Sequence, residues 1–322
     1  MDKVFFTYKI PDEGMLLLKG YDIYGNTEDR FLKKEEIIRE GKDASALITL
    51  LSDKIDSEVI SSLPKLKVIA NYAVGYNNID IEEARKRGVR VTNTPEALTD
   101  ATADLTMALI LATSRRIVEG DSFIRERKFV GWKPDLLTGP SLSGKNLGII
   151  GLGRIGKAVA KRAKAFGMNV FYFNRKPLLS QEEERFNVRH MSLEELLKSS
   201  DFLSLHAPLT KETYHLLNEK RLSLMKPGAI LVNTARGEII DESALIKALK
   251  TGRLAAAGLD VYEEEPYVPQ ELIELNNVVL LPHIGSATSE ARKEMAIIVG
   301  RNVAAVLEGK DLEIFGDGTQ AR

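Results

Sequence analysis

No cysteine occurs among the 322 residues, which removes disulfides, thiolate metal ligands and cysteine nucleophiles together. Histidine is scarce as well: there are four, with no His-x-x-x-His or similar pair, so no protein metal site is expected. Neither sign of charge is in excess. Lys+Arg 45 against Asp+Glu 46 leaves −1, which offers no field for nucleic acid or an anionic membrane. No apolar run approaches the ~18 residues of a spanning helix. The chain starts Met1-Asp-Lys-Val-Phe-Phe, a strand pattern, so neither a membrane nor a secretory destination is expected and the cytoplasm is the default. What remains is ordinary globular material, 44% hydrophobic and 28% charged, at a length that suits about two domains.

The rest of the chain is organised around one stretch. Leu147-Gly-Ile-Ile reads as a short buried strand, and Gly151, Gly153 and Gly156 follow at once in G-x-G-x-x-G spacing, with Arg154 and Ile155 between. A helical pattern (Ile155, Val159, Ala163, Phe166) ends at Gly167, and a second strand runs over 169–173. A dinucleotide-binding βαβ unit requires this context. The first glycine makes the tight turn, the second lets backbone approach a pyrophosphate, and the third lets helix pack on strand. The helix N-terminus then turns free N–H groups and a partial positive charge towards the phosphates.

Before this unit, residues 1–95 alternate short apolar runs (4–7, 46–51, 66–70, 89–91) with amphipathic stretches (33–40, 57–63, 81–87). Such alternation predicts a parallel sheet flanked by helices, whose ligands sit at the carboxyl ends of the strands. The end at Asn71-Tyr-Ala-Val74-Gly75 is either an ordinary βα loop or a turn whose N–H groups meet an anion. Residues 99–118 predict one long helix with Leu105, Ala108, Leu109 and Ala112 on a stripe, apolar on most sides as a helix between two domains would be. Residues 119–146 are polar and hold the sole tryptophan. Trp132 there is a contact anchor for a partner or a ring lying over a local core edge.

Past the glycine loop the alternation resumes, and four apolar runs end in polar residues. These are 201–205 before His206-Ala207-Pro208, 229–233 before Thr234-Ala235-Arg236, 255–259 before Asp260, and 278–281 before Pro282-His283-Ile284-Gly285. A final helix over 288–307 is expected to return to the first domain, and the tail from Gly309 to be frayed. The expected fold is α/β: two Rossmann-like or flavodoxin-like domains with parallel sheets and a cleft between them. Residues 1–98 plus 285–322 form a discontinuous substrate-binding domain, and 99–284 a dinucleotide-binding domain.

Three strand-end residues carry the chemistry. Arg236 offers a planar, permanent charge suited to hold a carboxylate bidentately. His283 can give a proton to a carbonyl oxygen as hydride reaches its carbon, and Glu265 beside it would hold the tautomer and favour the protonated ring. Taken singly, each has a structural explanation: a surface ion pair, a capped core histidine, a solvated acidic turn. Taken jointly, on successive strand ends of a dinucleotide domain, they read as the equipment to reduce a 2-oxo acid.

Several stretches resemble the D-isomer-specific 2-hydroxyacid dehydrogenases over nearly the whole chain, and within them the glyoxylate/hydroxypyruvate reductases. They are Gly151-Leu-Gly-Arg-Ile-Gly156, Val232-Asn-Thr-Ala-Arg-Gly-Glu238, Gly258-Leu-Asp-Val-Tyr-Glu-Glu-Glu-Pro266 and Pro282-His-Ile-Gly-Ser-Ala-Thr288. The resemblance implies Arg236 as carboxylate binder, Glu265 as the partner of the imidazole and His283 as acid/base. It implies that Val74 and Gly75 give backbone N–H groups to the carboxylate, with Leu51, Ser52 and Ser286 nearby. Trp132 matches a tryptophan that enters the neighbouring subunit's site. Thr102, His206, Ala207, Pro208, Thr234, Ala235, Asp260 and Gly285 fall where the family lines its cofactor cleft, and a homodimer through the glycine-loop domain is implied. An NAD site expects an acidic residue after the second strand, where this chain has Asn174-Arg175-Lys176. With no carboxylate to repel a 2′-phosphate and two cations to bind it, NADP(H) is expected in preference to NAD(H). The other readings are a phosphoglycerate, lactate or formate member of the family, and a nucleotide-sensing corepressor-like scaffold.

Overall fold

The computed structural model describes residues 1–310, so the tail expected beyond Gly309 lies, from residue 311, outside the described residues. Two compact units result: Met1–Leu98 with the segment from Ser286, and Thr99–Gly285. Within the second unit the Asp260 carboxylate takes the N–H groups of both Ile284 and Gly285.

The first unit is a five-stranded parallel sheet of β1 (Lys3–Phe6), β2 (Asp22–Gly25), β3 (Ala46–Thr49), β4 (Val68–Asn71) and β5 (Arg90–Thr92), in the order β2-β1-β3-β4-β5. Period-two alternation divides its core. Phe5, Leu47, Ile69 and Val91 meet Val59 and Ile60 on one face. Val4, Ile48, Val68 and Ala70 meet Met295, Val299 and Val303 of the final helix, Ser289–Leu307, on the other. That helix is capped by Thr288, whose Oγ1 accepts the Ala291 N–H at 3.1 Å. A side chain on Gly14 would overlap the Ala296 carbonyl, so the short helix Asp12–Met15 lies backbone-close against it. Strand β2 has no apolar run: it is an edge strand with no fully buried residue, which hides it from a hydrophobic pattern.

The second unit is a seven-stranded parallel sheet: β6 (Asn146–Ile150), β7 (Asn169–Phe173), β8 (Arg189–His190), β9 (Phe202–Leu205), β10 (Ala229–Asn233), β11 (Leu254–Leu259) and β12 (Val278–Leu280). Its order, β12-β11-β10-β9-β6-β7-β8, reverses direction between β6 and β9, the place where such sheets bind ligands.

Two expectations for residues 99–146 are corrected. The helix ends at Ser114, and Arg116 at φ +52° opens a second helix, Ile117–Arg125, inside the stretch read as a polar excursion. Of the expected stripe Leu105, Ala108, Leu109 and Ala112, only Leu109 is buried, and Ala108 is exposed. The buried face is Thr102, Ala103, Thr106, Met107, Leu109, Ile110, Thr113 and Ser114, packed in part against β10 and β11. Threonines disguise that face, and Thr106 Oγ1 satisfies itself on the Thr102 carbonyl at 2.8 Å. No helix among the described residues is long and apolar enough to cross a membrane.

Candidate active site

The glycine loop leaves β6 at the point where the strand order reverses. Gly151 sits at φ +95°, and a Cβ there would lie 2.5 Å from the Ala207 nitrogen, so both the turn and the neighbouring strand end demand glycine. A Cβ on Gly156 would overlap the Gly151 carbonyl, which fixes the close approach of the helix Arg154–Ala165. Around Gly153, the N-cap of that helix, nothing lies within 4 Å of an added Cβ. Two glycines are thus required by the protein itself. The third, with its unobstructed N-cap, fits a pyrophosphate approaching the first helical turn.

Asn174 does not point away from this loop. Its Oδ1 accepts the Leu152 N–H at 2.7 Å, while its carbonyl lies 3.2 Å from His190 Nε2. Arg175 and Lys176 beside it are exposed. Just past β9, His206 Nε2 meets Ser204 Oγ at 2.8 Å, and burial pushes its imidazole down to about 3, so it stays neutral at working pH. Ala207 lies partly buried against the core, and the Pro208 carbonyl accepts from Thr213 Oγ1 at 2.7 Å.

Arg236 follows β10 at the end of a turn held by Asn233, which accepts the Ala235 N–H at 3.0 Å and donates to the Arg236 carbonyl at 2.8 Å. Burial pushes the guanidinium below its usual value, and the charges of Glu238 and Glu265 oppose that shift. A side chain on the next residue, Gly237, would overlap the Tyr262 carbonyl, so the Arg236 segment lies against the segment that leads to Glu265. Thr234 Oγ1 meets Thr106 Oγ1 at 2.9 Å, and Thr102 Oγ1 donates to the Gly285 carbonyl at 3.0 Å.

His283 and Glu265 are in contact. His283 Nδ1 lies 2.8 Å from Glu265 Oε2, and the other carboxylate oxygen accepts the Tyr262 N–H at 3.1 Å. An ionised carboxylate only accepts, so Nδ1 carries the hydrogen and Nε2 is the nitrogen left for chemistry. Packing pushes the Glu265 carboxyl up, but the His283 hydrogen bond and charge, the Tyr262 N–H and Arg236 together hold it below the usual range. His283 stands at φ +53°, an uncommon backbone for a non-glycine. The next turn is held by Asp260, whose two oxygens accept the Ile284 and Gly285 N–H groups, each at 2.7 Å. Both Asp260 oxygens are therefore engaged in shaping the backbone beside the imidazole, and burial raises the group despite those donors.

In the first unit, Asn71 Nδ2 holds the Gly75 carbonyl at 2.8 Å and Asn93 Nδ2 holds the Val74 carbonyl at 2.7 Å. Both carbonyls are turned inward, and neither the Val74 nor the Gly75 N–H donates to a partner among the described residues. Leu51 and Ser52 sit in a turn pinned by the buried Asp53, which accepts the Leu50 N–H at 2.7 Å and the Thr7 hydroxyl. Ser286 stands just before the final helix, its carbonyl accepting the Thr288 N–H at 2.9 Å. Trp132 is 81% exposed, which rules out a ring lying over a core edge; Phe129 and Val130 beside it are exposed too.

Sequence reasoning missed the asparagines that turn the Val74 and Gly75 carbonyls inward, and a second histidine–carboxylate contact, His215 with Glu263. Two asparagines twenty-two positions apart, at the ends of neighbouring strands, leave no signal in a linear pattern. Glu263 is hidden in the same acidic run as Glu265.

The family described as D-isomer specific 2-hydroxyacid dehydrogenase, NAD binding domain, matches residues 107–285. A glyoxylate reductase of Thermococcus litoralis is 54% identical over 315 residues, spanning 96% of this chain and 94% of that protein. Among solved structures, a glyoxylate reductase from Paecilomyes thermophila superposes with a TM-score of 0.87 at 35% identity, covering 97% of each chain. An NADPH-dependent glyoxylate/hydroxypyruvate reductase from Sinorhizobium meliloti, in complex with NADP and malonate, superposes with a TM-score of 0.88 at 31% identity, covering 100% of this chain and 98% of that one.

Proposed function

The chain belongs to the D-isomer-specific 2-hydroxyacid dehydrogenase family of oxidoreductases, and from that premise we propose that it reduces glyoxylate to glycolate and hydroxypyruvate to D-glycerate. The observation that carries this reading is the His283–Glu265 contact in the same unit as Arg236, on neighbouring strand ends. A bound nicotinamide cofactor supplies the hydride to the keto carbon. Arg236 pairs with the substrate carboxylate and fixes which face of the carbonyl is presented. His283 gives the Nε2 proton to the carbonyl oxygen as it becomes a hydroxyl, and Glu265 steadies the ring in its charged form. Hydride plus proton convert the 2-oxo acid to the 2-hydroxy acid, so the step balances. Leu51, Ser52, Val74, Gly75 and Ser286 are proposed as the substrate-side residues of the first unit. The open N–H groups at Val74 and Gly75 support that role.

For the cofactor we propose Gly151, Gly153, Arg154, Ile155 and Gly156 at the pyrophosphate. Thr102, His206, Ala207, Pro208, Thr234, Ala235, Asp260 and Gly285 would line the remaining cleft. NADP(H) is favoured over NAD(H) because the second strand of the βαβ unit is followed by Asn174, which faces the glycine loop, and then by two exposed cations. A homodimer through the second unit is supported by its exposed apolar residues Ile117, Val118, Ile124, Phe129, Val130 and Trp132. A cytoplasmic location belongs to the same reading. Steady-state reduction of glyoxylate and hydroxypyruvate with NADPH and NADH in parallel tests it. Turnover preferring NADPH is expected. Turnover with NADH alone would overturn the phosphate assignment, and turnover with neither would overturn the substrate.

A further inference from the structure

The acidic run that supplies Glu265 also supplies a second histidine–carboxylate pair, with no part in the proton transfer described above. His215 Nε2 lies 2.7 Å from Glu263 Oε1, and Glu263 Oε2 accepts the Glu242 N–H at 3.2 Å. The His215 backbone N–H donates to the Glu238 carbonyl at 2.8 Å. The His215 ring stacks on Tyr214, 4.1 Å between centroids with 13° between planes. Like His283, His215 holds a left-handed backbone, at φ +46°.

These contacts join two segments. One, over 236–242, carries Arg236; the other, over 260–266, carries Glu265. They meet where a side chain on Gly237 would overlap the Tyr262 carbonyl, so a small shift of either changes how Arg236 and Glu265 face one another. His215 reaches both, through its backbone to Glu238 and through its ring to Glu263. We propose that His215 is a positioning residue for the reduction: by clipping Glu263 to the Arg236 segment, it holds the loop that presents Glu265 to His283. The proposal rests on the oxidoreductase reading above and deepens it. A pair this accessible (side chains 31% and 23% exposed) adds little to global stability, so its consequence should be local. Glu263 and Asp241 set negative charge beside the ring, and both favour a donor at this position.

The test compares His215→Ala and His215→Gln in the full chain, saturated with NADPH, alone and in a Glu265→Gln background. In H215A, kcat for glyoxylate should fall about tenfold with KM within about threefold, because the loss acts on proton donation rather than carboxylate binding. In H215Q the amide can still donate to Glu263, and kcat should return to within about threefold of the parent. In the E265Q background H215A should cost little more, since its effect passes through Glu265. The His283 imidazole resonance, one of only four histidines, should move in H215A and hold in H215Q, whatever the turnover. An unmoved resonance, or an equal loss with and without Glu265, would overturn the positioning role. A parent enzyme inactive with every 2-oxo acid would overturn the substrate reading and leave the resonance to decide the clip. If H215A does not fold, Glu263→Ala removes the acceptor of the same link and should show the same loss and the same dependence on Glu265.

Discussion

Two histidine–glutamate pairs stand in one unit, drawn from one acidic run, and they are put together in opposite senses. His283 is anchored through Nδ1, the nitrogen near the backbone, at 2.8 Å from Glu265; His215 is anchored through Nε2, the far nitrogen, at 2.7 Å from Glu263. Both histidines have positive φ, and their side chains are equally accessible at 31%. Burial and chemistry are therefore alike. The nitrogen left over decides the role. Anchoring by Nδ1 leaves the tip of the ring outward with a proton to give, whereas anchoring by Nε2 uses the tip and leaves a link between two backbone segments. The carboxylates differ to match. Glu265 lies within reach of the Arg236 charge, while Glu263 is held by the N–H that opens the helix Glu242–Lys250.

The largest break in this comparison should come from removing the proton donor. His283→Gln keeps a hydrogen-bonding group of similar size but cannot transfer a proton, and kcat should fall about 10²–10⁴-fold, read by steady-state kinetics at saturating substrate. Arg236→Lys keeps the charge but loses the bidentate fork; kcat/KM should fall about 10²-fold, mostly through KM. Glu265→Gln should cost about tenfold or more in kcat and should also change the pH profile. The folded Glu265 carboxyl is held below its usual range, so in the parent the acid limb of activity should lie below ordinary carboxylate titration. The same depression stabilises the fold above that range, and the stabilisation is lost as pH falls through the folded value.

His206 supplies the smallest catalytic effect and a control for the other two rings. Its folded imidazole is pushed down to about 3, against about 6.5 when unfolded, so it is neutral in the native enzyme throughout the working range. His206→Asn should leave the shape of the pH–rate profile unchanged. The sign for stability follows from the same numbers. Below about pH 6.5 the unfolded chain gains a proton at this position that the folded one refuses. The stability lost through this one group should therefore grow from there towards about pH 3 and level off below. Thermal midpoints against pH should fall less steeply in H206N over that window.

What was legible in the sequence, and what was not, divides along physical lines. The glycine loop, its helix and the strand over 169–173 were legible because backbone geometry there admits few residues: Gly151 and Gly156 have no room for a side chain. Strand ends in the second unit were legible because fully buried strands such as β9 and β10 are largely apolar runs followed by polar residues. Edge strands β2 and β8 carried no such contrast. The face of the helix Thr99–Ser114 was misread because threonines were counted as polar, although Thr102, Thr106 and Thr113 are buried. The asparagines that turn the Val74 and Gly75 carbonyls inward, and the His215 clip, depend on which segments lie side by side. That information is created by the fold and has no local signature.

The most direct measurement is glyoxylate reduction by H283Q and H215Q, assayed side by side with the parent at saturating NADPH. If the leftover nitrogen decides the role, H283Q should lose about 10²–10⁴-fold in kcat while H215Q stays within about threefold, because glutamine replaces a clip but not a proton donor. Retained turnover in H283Q, or equal losses in the two variants, would contradict the assignment of His283 as the acid and of His215 as its support.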